Sequence, residues 1–156
     1  MEEKQIPDIF EKITQANQIL CDKYGGLYRD APKSLLLSVL NSPWIVIFGE
    51  ELYPGPINKV VKIGQEFIAQ HIFSDGNKRV ALIAMEIIAD MYGLKWDVDQ
   101  KTKYNIIMNY AQNTSSKLLL FEKDFIQSIG FPRNLEEIIQ DNNDVLMALG
   151  DPNFEW

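Results

Sequence analysis

The chain has 156 residues, 46% of them hydrophobic and 24% charged, with a formal net charge of −7. That length suits one domain that buries a core without disulfides or structural metals. The acidity excludes nucleic acid as the main partner, because a phosphate backbone calls for a broad basic face; a small anion in a locally basic pocket stays compatible with it.

The opening residues, MEEKQIPD, are acidic and lack the basic and apolar regions of a signal peptide. No apolar run approaches the roughly 20 residues that span a bilayer. A soluble, cytoplasmic protein without a membrane partner is therefore expected. From Pro7 to about Tyr24, Ile9, Ile13, Ala16, Ile19 and Leu20 recur at helical spacing, and Gly25-Gly26 stops the run. Cys21 falls in this segment. As the only cysteine it has no internal disulfide partner, and it reads as a buried, inert thiol.

A second helix fits PKSLLLSVLNSP, with Pro32 in its first turn and Pro43 closing it. The next stretch, WIVIFGEELYPGP, mixes β-branched and aromatic residues with Gly and Pro, the pattern of an extended or hairpin-like flap. A third helix is predicted from Pro56 to about His71, with Ile57, Val60, Val61, Gly64, Phe67 and Ile68 on one stripe. A fourth runs from about Lys78 to Tyr92, where Gly93 supplies the stop. DQKTKYNIIMNYAQN and FEKDFIQSIG read as two more helices. The tail, residues 131–156, reads as an acidic amphipathic helix with Asn134 as cap and Glu137 three residues on. From Arg133 to Trp156 it carries six anions and one cation, −5 of the total −7. The expectation is a single all-α domain over residues 1–156, with its core at about 6–130 and one irregular excursion.

The fourth helix is the informative one. Eleven of the thirteen residues from Val80 to Tyr92 are apolar, so it should be buried nearly all round. The exceptions, Glu86 and Asp90, follow Arg79 by seven and eleven positions, close to whole helical turns. Arg79, Glu86 and Asp90 thus form one polar stripe on an apolar rod.

At the mouth of this helix stands HIFSDGNKR, residues 71–79, with the only histidine of the chain. A helix N-terminus carries unpaired N–H groups and a partial positive charge, so Lys78 and Arg79 are misplaced there by about 0.3–1 kcal/mol each. They make sense if an anion sits at that end, and phosphate is the obvious one. Gly76 removes a Cβ from the path of an approaching anion. Asn77 caps the helix or donates to an oxygen. Asp75 is a hard oxygen ligand suited to Mg²⁺ beside a polyphosphate. His71, with a reference pKa of roughly 6.5, is suited to accept a proton from a hydroxyl near neutral pH. Phe73 reads as a buried anchor. Base, metal ligand and anion cradle together point to phosphoryl or nucleotidyl transfer; no GxxxxGK[ST] phosphate loop occurs.

HIFSDGNKR resembles the signature of the Fic/Doc family, HxFx(D/E)GNxR, at every specified position, and the resemblance extends over about Ile6 to Gly130. It implies a compact helical domain in which the motif joins two central helices and a flap covers the site. It also implies ATP as substrate with Mg²⁺, and a target-protein Ser or Thr hydroxyl as acceptor, docked along WIVIFGEELYP. By motif position His71 would be the base and Asp75 the Mg²⁺ ligand. The Gly76-Asn77 backbone and the Asn77 side chain would form the anion hole, and Arg79 would bind a phosphate, with the long cation of Lys78 at the entrance to that hole.

The family's AMP-transferring members commonly read GNGRxxR, whereas this chain has Lys78 at the variable position and Leu82 where a second arginine would stand. Both departures resemble the Doc toxin type. That type implies a kinase that passes the γ-phosphate of ATP to a target such as elongation factor Tu, held in check by a small antitoxin. AMP transfer, and a catalytically silent binding module, stay open as alternatives. The self-silencing pattern [ST]xxxE[GN] of many family members occurs nowhere, so any restraint is expected from another chain.

Overall fold

A helix that is apolar nearly all round has no face to give to solvent, so its neighbours must enclose it. The computed structural model describes residues 6–26, 30–73, 76–112, 126–128 and 133–156, and this enclosure organises them. In chain order the elements are α1 (Ile6–Tyr24), α2 (Lys33–Asn41), β1 (Val46–Ile47), β2 (Glu50–Glu51), α3 (Gly55–Gln70) and α4 (Asn77–Met91). They continue with β3 (Leu94–Trp96), α5 (Gln100–Gln112), β4 (Ile126–Ser128), α6 (Leu135–Asp141) and α7 (Asn143–Ala148). The fold is all-α, as expected. Every residue of α4 from Val80 to Asp90 is buried, with α3, α1, α5 and α6 packed around it.

The α3–α4 approach is close because of one missing side chain. A Cβ on Gly64 would lie 2.4 Å from the sulfur of buried Met85. The predicted helix stops are in place. Gly25 takes φ 87 and its N–H returns to the Cys21 carbonyl at 3.0 Å. Gly93 takes φ 69 and its N–H reaches the Asp90 carbonyl at 2.9 Å, the left-handed ending that glycine allows. α1 turns Ile9, Ile13, Ala16 and Leu20 into the core. Cys21, expected to be buried, is half-buried instead.

The irregular excursion is a hairpin. Val46 pairs with Glu51 and Ile47 with Glu50, antiparallel, about a tip of Phe48 and Gly49 at φ 52 and φ 77. Two positive-φ residues at the tip match the turn whose twist suits a two-residue hairpin. The Leu52 N–H extends the ladder to the Ile45 carbonyl at 2.9 Å, and Lys59 of α3 moors it through the Tyr53 carbonyl and the Glu51 carboxylate.

Two expectations are corrected. FEKDFIQSIG was expected to be helical, yet Ile126–Ser128 form β4, antiparallel to β3 with Trp96 opposite Ile126; the rest of that stretch lies outside the described residues. Pairing with a strand some thirty residues away in sequence overrides the local pattern. The tail is two helices, not one. Asn134 caps α6 by accepting from the Glu137 N–H at 2.8 Å, as predicted. The break falls at Asn142, whose fully buried side chain has other work.

The Asn142 amide donates to Glu86 Oε2 at 2.9 Å and to the Ile138 carbonyl at 2.8 Å, and its oxygen accepts from Lys103 Nζ at 2.8 Å. Lys103 lies 3.6 Å from Glu86 Oε2, and Arg133 Nη1 lies 3.3 Å from it. The Arg133 main-chain N–H donates to Asp90 Oδ1 at 3.0 Å, and its Nη1 reaches Asp141 at 3.0 Å. Thus the polar stripe of α4 is real for Glu86 and Asp90, and it ties the tail and α5 to the core helix. Burial pulls the Lys103 ammonium below the usual lysine range; Glu86 opposes this and Arg133 adds to it. Burial acts on Arg133 in the same sense, but Glu86, Asp141 and Asp90 outweigh it and hold the guanidinium above its usual value.

Candidate active site

α3 ends at His71, which takes the left-handed conformation at φ 45, ψ 51. Few non-glycine residues adopt it, histidine among the better tolerated. The residue is exposed and lines a cavity of about 800 Å³. The chain then runs through Ile72 and Phe73, both buried, with the Phe73 ring parallel to Phe67 at a centroid distance of 6.4 Å. Phe73 is the anchor the sequence suggested. Ser74 and Asp75 lie outside the described residues, so the Mg²⁺-ligand expectation for Asp75 lies there too.

The chain resumes at Gly76, at φ 76, ψ 15, as the N-cap of α4. The need for glycine is conformational. A Cβ there would meet nothing within 4 Å, so the angle and not the space selects the residue. Asn77 is not the cap. It is the first helical residue, and its side chain closes back on the loop. Its oxygen accepts from the Phe73 N–H at 2.9 Å and its nitrogen donates to the Phe73 carbonyl at 2.8 Å. The side chain thus braces the loop, and the main-chain N–H groups of the first turn are what Asn77 and its neighbours offer an anion.

Lys78 and Arg79 follow on that first turn, which holds no acidic residue. Both are half-buried, and both line the cavity with His71, Gly76 and Asn77. Helix dipole, first-turn N–H groups and two cations therefore converge on one space, with an imidazole at its edge. Its volume is in the range of small-molecule sites. The remaining wall comes from Ile68 and Ala69 of α3, from Met108, Ala111 and Gln112 of α5, and from Leu149 and Gly150 beyond α7.

The tail's part in the site was not legible in the sequence. The Arg79 Nε donates to the Leu146 carbonyl at 2.6 Å, and its guanidinium lies 5.3 Å from the centre of the Tyr24 ring. Tyr24 in turn donates to Asn143 Oδ1 at 2.7 Å. Burial raises the Tyr24 phenol pKa; Arg79 lowers it and Asp144 adds to the rise, leaving it above the usual value. The Arg79 contacts seen here are thus with Leu146 of the tail and Tyr24 of α1, whereas Glu86 and Asp90 face Lys103, Arg133 and Asn142.

No group of three or more His, Cys, Asp or Glu residues is placed to hold a metal ion among the described residues. Nor is any helix long and apolar enough to cross a membrane among those residues.

A helix–loop–helix that presents a histidine, a positive-φ glycine and a cationic helix mouth to one cavity defines a Fic-type transferase domain. The family model described as Fic/DOC family matches residues 9–89, and the chain belongs to that family, whose members pass a nucleotide or phosphate group to proteins. No curated protein and no solved structure matches the chain.

Proposed function

We propose that the protein is a Doc-type kinase that transfers the γ-phosphate of ATP to a Ser or Thr hydroxyl of a target protein. The observation that carries the reading is the single cavity shared by His71 and the Gly76–Arg79 helix mouth. In the reaction, His71 accepts the proton of the target hydroxyl, and the freed oxygen forms a bond to the γ-phosphorus. The bond from that phosphorus to the β–γ bridging oxygen breaks, and ADP leaves. The first-turn N–H groups with Lys78 and Arg79 meet the phosphate oxygens, and Asp75 would hold Mg²⁺ shared with them.

Two features favour γ-phosphate over AMP transfer. Leu82, where AMP-transferring relatives carry a second arginine, is fully buried in the core and offers nothing to a polyphosphate. Lys78 sets a long cation beside the anion hole, where those relatives have glycine. The hairpin is the docking place for the target. Phe48 is fully exposed at its tip, and Val46 and Ile47 are 58% and 47% exposed beside it, an apolar edge able to take an extended chain as an added strand. A toxin role, elongation factor Tu as target and a small antitoxin as the restraining partner complete the reading.

Incubation with a bacterial lysate and ATP labelled at either phosphorus tests it. The γ label is expected to move to a protein, the α label is not, and His71→Ala should abolish the transfer. Movement of the α label would make the protein an AMP transferase. Movement of neither would make it a binding module.

A further inference from the structure

Gly150 is glycine without a conformational reason, since it is absent from the residues of positive φ. Its reason is Arg79. A Cβ built on Gly150 would lie 1.9 Å from Arg79 Nη2, 2.7 Å from Cζ and 3.1 Å from Nη1, so the guanidinium lies across the bare backbone. On another side the Leu146 carbonyl takes the Nε proton at 2.6 Å. The Tyr24 ring, itself fixed through Asn143, stands at 5.3 Å.

We infer that Gly150 and Leu146 are positioning residues for Arg79. They fix the aim of its guanidinium from a segment that lies outside the family-matched residues 9–89. This rests on the reading above, in which Arg79 meets phosphate. A bond at Nε fixes the plane of the fork, which otherwise swings on a long, rotamer-rich side chain. Arg79 forms part of the partition between two spaces. It lines the 800 Å³ cavity with His71 and a second of about 380 Å³ bounded by Lys23, Tyr24, Asn143, Met147 and Asp151. Gly150 borders both. A side chain at position 150 displaces the guanidinium, and the partition moves with it.

The atoms in the way are the far end of a flexible side chain, so Gly150→Ala should fold normally while misplacing Arg79. That separates positioning from stability. The experiment compares wild type, Gly150→Ala, Arg79→Ala and the double variant by thermal melting, calorimetric titration with ATP, and the Arg79 Nε–Hε resonance in NMR. Gly150→Ala should melt close to wild type and lose about tenfold in ATP affinity, yet add no further loss to Arg79→Ala, as expected of residues that act as one. Its Hε resonance should shift and exchange faster with water. Equal affinity for Gly150→Ala and wild type, additive losses in the double variant, or an unchanged Hε resonance would each overturn the inference. If wild type binds no ATP, the kinase reading fails, and the Hε resonance alone still decides whether Gly150 and Leu146 hold Arg79.

Discussion

The two ends of α4 break the same electrostatic rule and resolve it differently. A helix favours anions at its N-terminus and cations at its C-terminus. α4 has Lys78 and Arg79 at the first and Glu86 and Asp90 toward the second. At the C-terminal end the chain supplies its own compensation, since Lys103, Arg133 and Asn142 converge on Glu86 and Asp90. At the N-terminal end Lys78 and Arg79 border a cavity, and Arg79 touches the Leu146 carbonyl and the Tyr24 ring. One end is completed by folding. On the reading proposed above, the other is where an anion arrives.

Removing a partner from the completed end should cost the most. Glu86→Ala leaves Lys103 and Arg133 facing each other in a buried site, and a loss of about 3–5 kcal/mol is expected in urea unfolding. A loss under 1 kcal/mol would mean that the network is solvated and the contrast between the two ends false. At the open end the next largest effect has the opposite sign. His71→Gly relieves a left-handed non-glycine residue and should stabilise the fold by about 1 kcal/mol while abolishing transfer. If denaturation shows it less stable than His71→Ala, the backbone there is not strained. Smallest of all, Lys78→Glu restores the sign the helix prefers and should raise stability by about 0.3–1 kcal/mol. The same change should weaken ATP binding in calorimetry, and equal or tighter binding would remove the anion from the mouth.

How much of this could be read in advance depended on how local the cause was. The burial of α4 was legible because eleven apolar residues in thirteen leave no other outcome. The hairpin was legible because WIVIFGEELYPGP mixes β-branched and aromatic residues with Gly and Pro, and the glycine stops because left-handed caps are a local demand. β4 was not, because Ile126–Ser128 owe their conformation to Leu94–Trp96. The break in the tail at Asn142 was not legible either, since its cause is a carboxylate on α4 and an amine on α5. At the site, the motif brought His71, Gly76, Asn77, Lys78 and Arg79 to one cavity. What it hid was the division of labour. Asn77 spends its amide on Phe73, and Arg79 takes its aim from Leu146 and Gly150.

The reciprocal bonds between Asn77 and Phe73 have a kinetic side. Phe73 and Asn77, held to each other by these paired bonds with the Phe73 ring parallel to Phe67, take their places during folding. If an anion binds there as proposed, these two residues add little ordering entropy to its capture. Its rate is governed by diffusion and charge attraction, so added salt should slow entry long before it loosens the clasp.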